Sequence, residues 1–142
     1  MNTPWAAVAA ATAFVWLGMV LAISFLEAPL KFRAPGVTLR IGLGIGRLVF
    51  RALNRAETAL AAVLVLAVAA GGLPAPVVVL TGLVVGLLLA QLGAVRPVLN
   101  RRSDRVLAGE DVPRSRTHLV YVACESAKVF LLLALGVAAL SV

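Results

Sequence analysis

The stretch THLVYVACESAKVFLLLALGVAALSV, residues 117–142, decides the fold. From Val129 onward it is apolar apart from Ser141, but at 1.5 Å per residue that tail covers only about 21 Å. A bilayer's hydrocarbon core is about 30 Å thick. A helix crossing it here must therefore draw Glu125 and Lys128 below the headgroups.

The same greasiness runs through the whole chain. Apolar residues make up 62% of its 142 residues and charged residues 13%, with a mean hydropathy of +1.05. A soluble domain of this size has too little interior to hide so much apolar surface. The composition points to one integral membrane domain, all-α, and excludes an ordinary soluble enzyme. A net charge of +7 on a soluble chain would suggest nucleic acid. Here the basic residues fall between apolar blocks, which points to anionic lipid headgroups and away from nucleic acid. Arg outnumbers Lys eleven to two, a bias typical of GC-rich coding and a hint of a bacterial source. Cys124 is alone, so no internal disulfide can form.

Working back from the C-terminal run, three further spans are expected, at residues 4–28, 54–73 and 76–95. Pro4 suits a first helical turn, with Thr3 as its cap. A basic leader region is missing, so the first run reads as a span and not as a signal peptide. Pro29 and Pro35 should end or kink it, and Arg96-Pro97 should stop the third. Gly71-Gly72-Leu73-Pro74 reads as a tight turn, and residues 96–116 as a solvated connection that includes Asn100, Ser103, Asp104, Glu110 and Asp111. The expected architecture is a four-transmembrane-helix bundle.

Between the first two spans, Ile41, Ile45 and Leu48 interleave with Arg40, Arg47 and Arg51. That is an amphipathic interfacial segment running into the second span. Its Gly42-Leu-Gly44-Ile-Gly46 run superficially resembles a phosphate-cradling loop, but no strand precedes it. The glycines fit close packing or a bend better. Gly82 and Gly86 form a small-xxx-small step, suited to contact within the monomer or to a dimer interface.

Every Lys and Arg except Lys128 falls in one of two loops: Lys31, Arg33, Arg40, Arg47, Arg51 and Arg55 in one, Arg96, Arg101, Arg102, Arg105, Arg114 and Arg116 in the other. By the positive-inside rule both loops are cytoplasmic and both termini lie outside a bacterial inner membrane.

The length argument extends to Glu57, which the short apolar run of the second span pulls inward, and to Gln91 in the third. Glu27 lies at the inner end of the first span, with Lys31 nearby. His118, Tyr121, Glu125 and Lys128 share an arc of about 80° on the last helix. Charges at such depth are costly and should face the bundle. Glu125, Lys128, Glu57, Glu27, Tyr121, Gln91 and His118 are therefore the candidate binding residues for a proton, cation or small solute. Glu125 and Lys128 should pair on their own helix, leaving Glu57 and Glu27 to Lys31, His118 or a loop arginine. The alternative is that Lys128 snorkels to the surface and the cluster only knits the helices together. Trp16, deep in the first span, reads as core.

Three chemical readings find little support. One histidine cannot make a bis-imidazole haem site within a monomer. Glu27, Glu57, His118 and Glu125 are suitable metal-ligand types but lack a metal-binding spacing. Ser24, Ser126 and Cys124 have no base beside them, which points away from an enzyme. No cofactor is expected.

Trp16-Leu-Gly18 in the first span, Ala28-Pro29-Leu-Lys-Phe32 at its end, Gly-Arg-Leu-Val-Phe at residues 46–50, and a last helix beginning near His118 together resemble a family of uncharacterised bacterial four-helix integral membrane proteins. The resemblance implies the fold and a membrane location. Two functions then compete. One is an intramembrane site or pathway, which needs an oligomer because no internal repeat is visible. The other is a non-catalytic accessory or assembly subunit of a larger membrane complex.

Overall fold

The computed structural model describes residues 3–110 and 116–142, so Asp111 and Arg114 lie outside the described residues. Its elements are α1 (Thr3–Val20), the π-helical segment π1 (Leu21–Glu27), α2 (Ala28–Lys31), α3 (Leu39–Gly71), α4 (Ala75–Ala90), a second π-helical segment π2 (Gln91–Val95), α5 (Arg96–Leu107) and α6 (Arg116–Leu140). They join into four long helices, Pro4–Lys31, Leu39–Gly71, Ala75–Leu107 and Arg116–Leu140, each long and apolar enough to cross a membrane. No strand occurs among the described residues, which removes the context a nucleotide-binding loop would need.

The second and third helices run 33 residues each, about 50 Å and well beyond the hydrocarbon thickness. They meet at a tight turn where Gly72 adopts the left-handed conformation at φ 55° and bonds back to Val68. Their extra length therefore lies at the other end, where the arginines are. Thr38 opens α3 by accepting a hydrogen bond from the Ile41 amide. The amphipathic segment is the first part of this helix, continuous with the span.

Two sequence expectations change. Arg96-Pro97 does not stop the third helix, which continues as α5, and Pro29 does not end the first, which continues as α2. In each case the proline occupies the second position of an α segment, directly after a π-helical one. A proline inside a regular helix clashes with the carbonyl four residues back and removes a donor. A widened π turn ahead of it makes room for both. Much of the expected connection after residue 95 is consequently helical.

The core is built from one stripe per helix: Ala6, Ala9, Ala13, Trp16 and Val20; Leu53, Ala61, Leu64 and Ala67; Val77, Val84 and Leu88; Leu132, Leu135 and Ala139. α1 packs most closely on α6 and α3, and α4 packs on α6. Lipid gives no hydrophobic drive between helices, so small residues and polar contacts must hold them. The alanines of α1 supply the first. Gly71 and Gly136 add to it, because a Cβ there would come 2.5 Å from the Trp5 Cβ and 2.6 Å from the Phe14 ring. Gly42 and Gly46 form the inner face of early α3, against Phe32 and the Lys31 ammonium, while Ile41, Ile45 and Leu48 point outward. Gly82 and Gly86 face outward with open space around them, so they do not pack within the monomer.

Candidate functional site

The polar groups the core contains converge on one layer in the half of the bundle nearer the basic end. Lys128 is 0% exposed, Glu125 1% and Glu57 2%. Lys128 reaches Glu57 Oε2 on α3 at 2.6 Å and Glu125 Oε1 on its own helix at 2.7 Å. One ammonium thus bridges two carboxylates. The snorkelling alternative is ruled out by this burial.

Each carboxylate has a second donor from elsewhere in the bundle. Trp16 Nε1 donates to Glu57 Oε2 at 2.8 Å. A buried indole needs an acceptor for its N–H, and the only acid at that depth on α3 supplies it. Glu125 receives Gln91 Nε2 on Oε1 at 2.8 Å and the Ser24 hydroxyl on Oε2 at 2.5 Å. Ser24 lies in π1 and Gln91 in π2, so both π-helical segments present a donor to the same carboxylate. π turns inside α-helices rotate the side chains they carry out of α register and recur at functional positions. Gln91 is the C-cap of α4 and the first residue of π2, so its side chain is set at the start of that change.

Toward the basic end the next layer is aromatic and cationic. Arg96 stands 4.5 Å from the Phe50 ring centroid and 5.1 Å from that of Tyr121, and those rings meet edge to face at 5.8 Å. Tyr121 and Ser24 line one cavity, and Arg96 interacts electrostatically with Glu125 and Glu57. A cavity of about 190 Å³ is lined by Ser24, Tyr121, Lys31, Arg102 and His118 among largely apolar neighbours that include Phe32 and Phe50. Glu125 is therefore one hydroxyl away from a cavity.

Of the seven candidates from sequence, Glu57, Gln91, Glu125 and Lys128 come together, with Tyr121 in the adjoining layer. Glu27 does not share the bridge. It pairs with Lys31 at 3.6 Å on its own helix and is half-buried. His118 lines the cavity. The expectation that Glu57 pairs with Lys31, His118 or a loop arginine is corrected, because Lys128 and Trp16 take it. Trp16, Ser24 and Arg96 are site residues that sequence reasoning did not place there. For Trp16 a signal existed, since a tryptophan among alanines in mid-span must find an acceptor. For Ser24 and Arg96 there was none, because their positions depend on the π turns.

In this layer Gln91 Oε1 is buried and has no hydrogen-bond partner among the described residues. No group of three or more metal-ligating side chains occurs among the described residues. No family model, curated protein or solved structure matches the chain. The fold and site define a four-helix protein with membrane-spanning character and a buried ionic centre, and its function is argued from that centre.

Proposed function

We propose that the chain is a small multipass protein of the bacterial inner membrane whose buried cluster binds and passes a proton or small cation. The observation that carries this is the count of charge in the bridge. Two fully buried carboxylates share one ammonium, one positive charge short of neutrality in a medium where unbalanced charge is expensive. A proton or a monovalent cation supplies it. Arg96 is held over two rings in the adjoining layer and reaches Glu125 and Glu57 only electrostatically. Gln91 Oε1 is the spare neutral acceptor beside this centre, and Ser24 links Glu125 to the cavity. Intramembrane ionisable groups so arranged are a hallmark of ion and proton pathways.

In this reading the basic end faces the cytoplasm, where its arginines meet anionic lipid headgroups, and both termini lie outside. Four helices without an internal repeat do not make an alternating-access machine, so the pathway is completed by a homo-oligomer. The test is reconstitution of the purified protein in liposomes with a potassium diffusion potential and an entrapped pH dye. Wild type is expected to pass protons or the counter-cation, and Glu125→Gln to lose that flux. Absent flux, or flux equal in both, refutes the reading.

One observation favours a second reading, an accessory subunit of a larger complex. Gly82 and Gly86 leave an open, outward-facing step on α4, the shape a further helix packs against. Gentle extraction followed by native mass measurement distinguishes the two, since a heteromeric assembly supports the accessory role.

A further inference from the structure

Arg47, Arg51 and Arg55 follow one another at four-residue steps along α3, so their guanidinium groups form a row on one helix face. Like charges at that spacing repel, and a helix keeps such a row at a cost unless something offsets it. Asn54 and Thr58 extend the same face toward the buried layer. Opposite, Arg96 and Asn100 stand one turn apart on α5 and close a cavity of about 370 Å³. That is within the roughly 300–1,000 Å³ of small-molecule sites.

The lining of this cavity holds four guanidinium groups and three neutral polar side chains, with no carboxylate. Arg47 shares its charge with Asp104, an ion pair outside the lining. Arg96 is fixed by the Phe50 and Tyr121 rings, which orients its planar fork at little further entropic cost. Arg51 and Arg55 are exposed and have no acidic partner among the described residues.

We infer that this cavity is a binding site for a phosphate group, borne on an anionic lipid headgroup or free in solution. Guanidinium forks match phosphate oxygens in pairs, and charge-assisted bonds of that kind are the strongest a protein surface offers. The amides of Asn54 and Asn100 add neutral donors. The cavity adjoins the Glu57–Lys128–Glu125 bridge through Arg96, which serves both, whereas Arg51 and Arg55 belong to the cavity alone; the inference deepens the reading that the basic end meets anionic headgroups.

The test uses the full-length protein in a neutral detergent, with phosphatidic acid, phosphatidylcholine and inorganic phosphate as probes. Lipid retention is read by native mass spectrometry and phosphate binding by its competition with phosphatidic acid. The site variant is Arg51→Gln with Arg55→Gln. The control is Arg33→Gln with Arg40→Gln, which removes the same charge from exposed positions outside the cavity. Neither pair has an ion-pair partner among the described residues, and circular dichroism verifies the helices. The site variant is expected to weaken phosphatidic acid retention by roughly tenfold or more, with the control near wild type. Competition by inorganic phosphate supports a site open to the free anion, and retention of the lipid without competition supports the headgroup. Equal losses in both variants, phosphatidylcholine held as tightly as phosphatidic acid, or no binding of either phosphate probe overturns the inference.

Discussion

The ammonium of Lys128 lies 2.6 Å from Glu57 Oε2, joining α6 to α3 through the middle of the bundle. Because the same ammonium also holds Glu125 at 2.7 Å, its removal leaves two buried carboxylates without their shared cation. Breaking a buried pair from one side costs about 3–5 kcal/mol. Lys128→Met should lose stability on that scale in detergent, followed by thermal unfolding with circular dichroism. Adding Glu57→Gln to the same chain should recover part of the loss, because one uncompensated charge goes with it.

Trp16 donates its indole N–H to the other side of Glu57. Phenylalanine there keeps most of the ring and deletes the donor. A hydrogen bond to a charged group contributes about 1.5–3 kcal/mol, and Trp16→Phe should destabilise the protein by that order in the same unfolding measurement. In a Trp5→Phe background Trp16 is the sole tryptophan, and Glu57→Gln should then shift its selectively excited emission.

Glycines separate into those that hold helices together and those that do not. At Gly71 a Cβ would sit 2.5 Å from the Trp5 Cβ, close to that residue's backbone and unable to swing away. Gly71→Ala should cost about 1–3 kcal/mol by overpacking. Gly82 has open space around it, and Gly82→Ala should leave the monomer unchanged or stabilise it by up to about 1 kcal/mol through helix propensity. A fall in oligomer or complex mass with the bulkier Gly82→Leu would mark that face as an interface.

The orientation is checked with single cysteines in a Cys124→Ala background. Arg105 is exposed at the basic end and Ser141 at the opposite one. In intact cells stripped of their outer membrane, a membrane-impermeant maleimide should label Ser141→Cys, and Arg105→Cys only after permeabilisation. The reverse pattern inverts the topology.

Much of this molecule was legible in its sequence, and the reason is where its few charges fall. Glu125 and Lys128 share one face of an otherwise apolar helix, and charges in such a run are expected to turn toward other helices; both are buried in the bundle. The same reasoning singled out Glu57 and Gln91, which are buried too. It could not say which partner each would take. The i,i+3 spacing makes Glu125 look sufficient for Lys128 and leaves Glu57 to Lys31, His118 or a loop arginine, whereas a buried ammonium with several donors serves two acceptors at once. Proline rules describe α-helices, so they predict that Pro29 ends or kinks the first helix and that Pro97 stops the third. The π turns ahead of them carry the chain through, and they also set Ser24 and Gln91 on Glu125. Nothing in the local composition of either segment announces that change of register. Arg96 was assigned to solvent for the same reason: with the helix expected to end beside it, its place over Phe50 and Tyr121 was out of view.

The claim most exposed to test is that the buried bridge takes up one exchangeable positive charge. Purified protein in weakly buffered detergent solution, with a bulky organic cation as the only counter-ion, is titrated with sodium or potassium chloride while a pH indicator is followed. Proton release on addition of the small cation by wild type, and its loss in both Glu125→Gln and Glu57→Gln, is the predicted result. No release from wild type, or the same release from the two variants, would contradict the account.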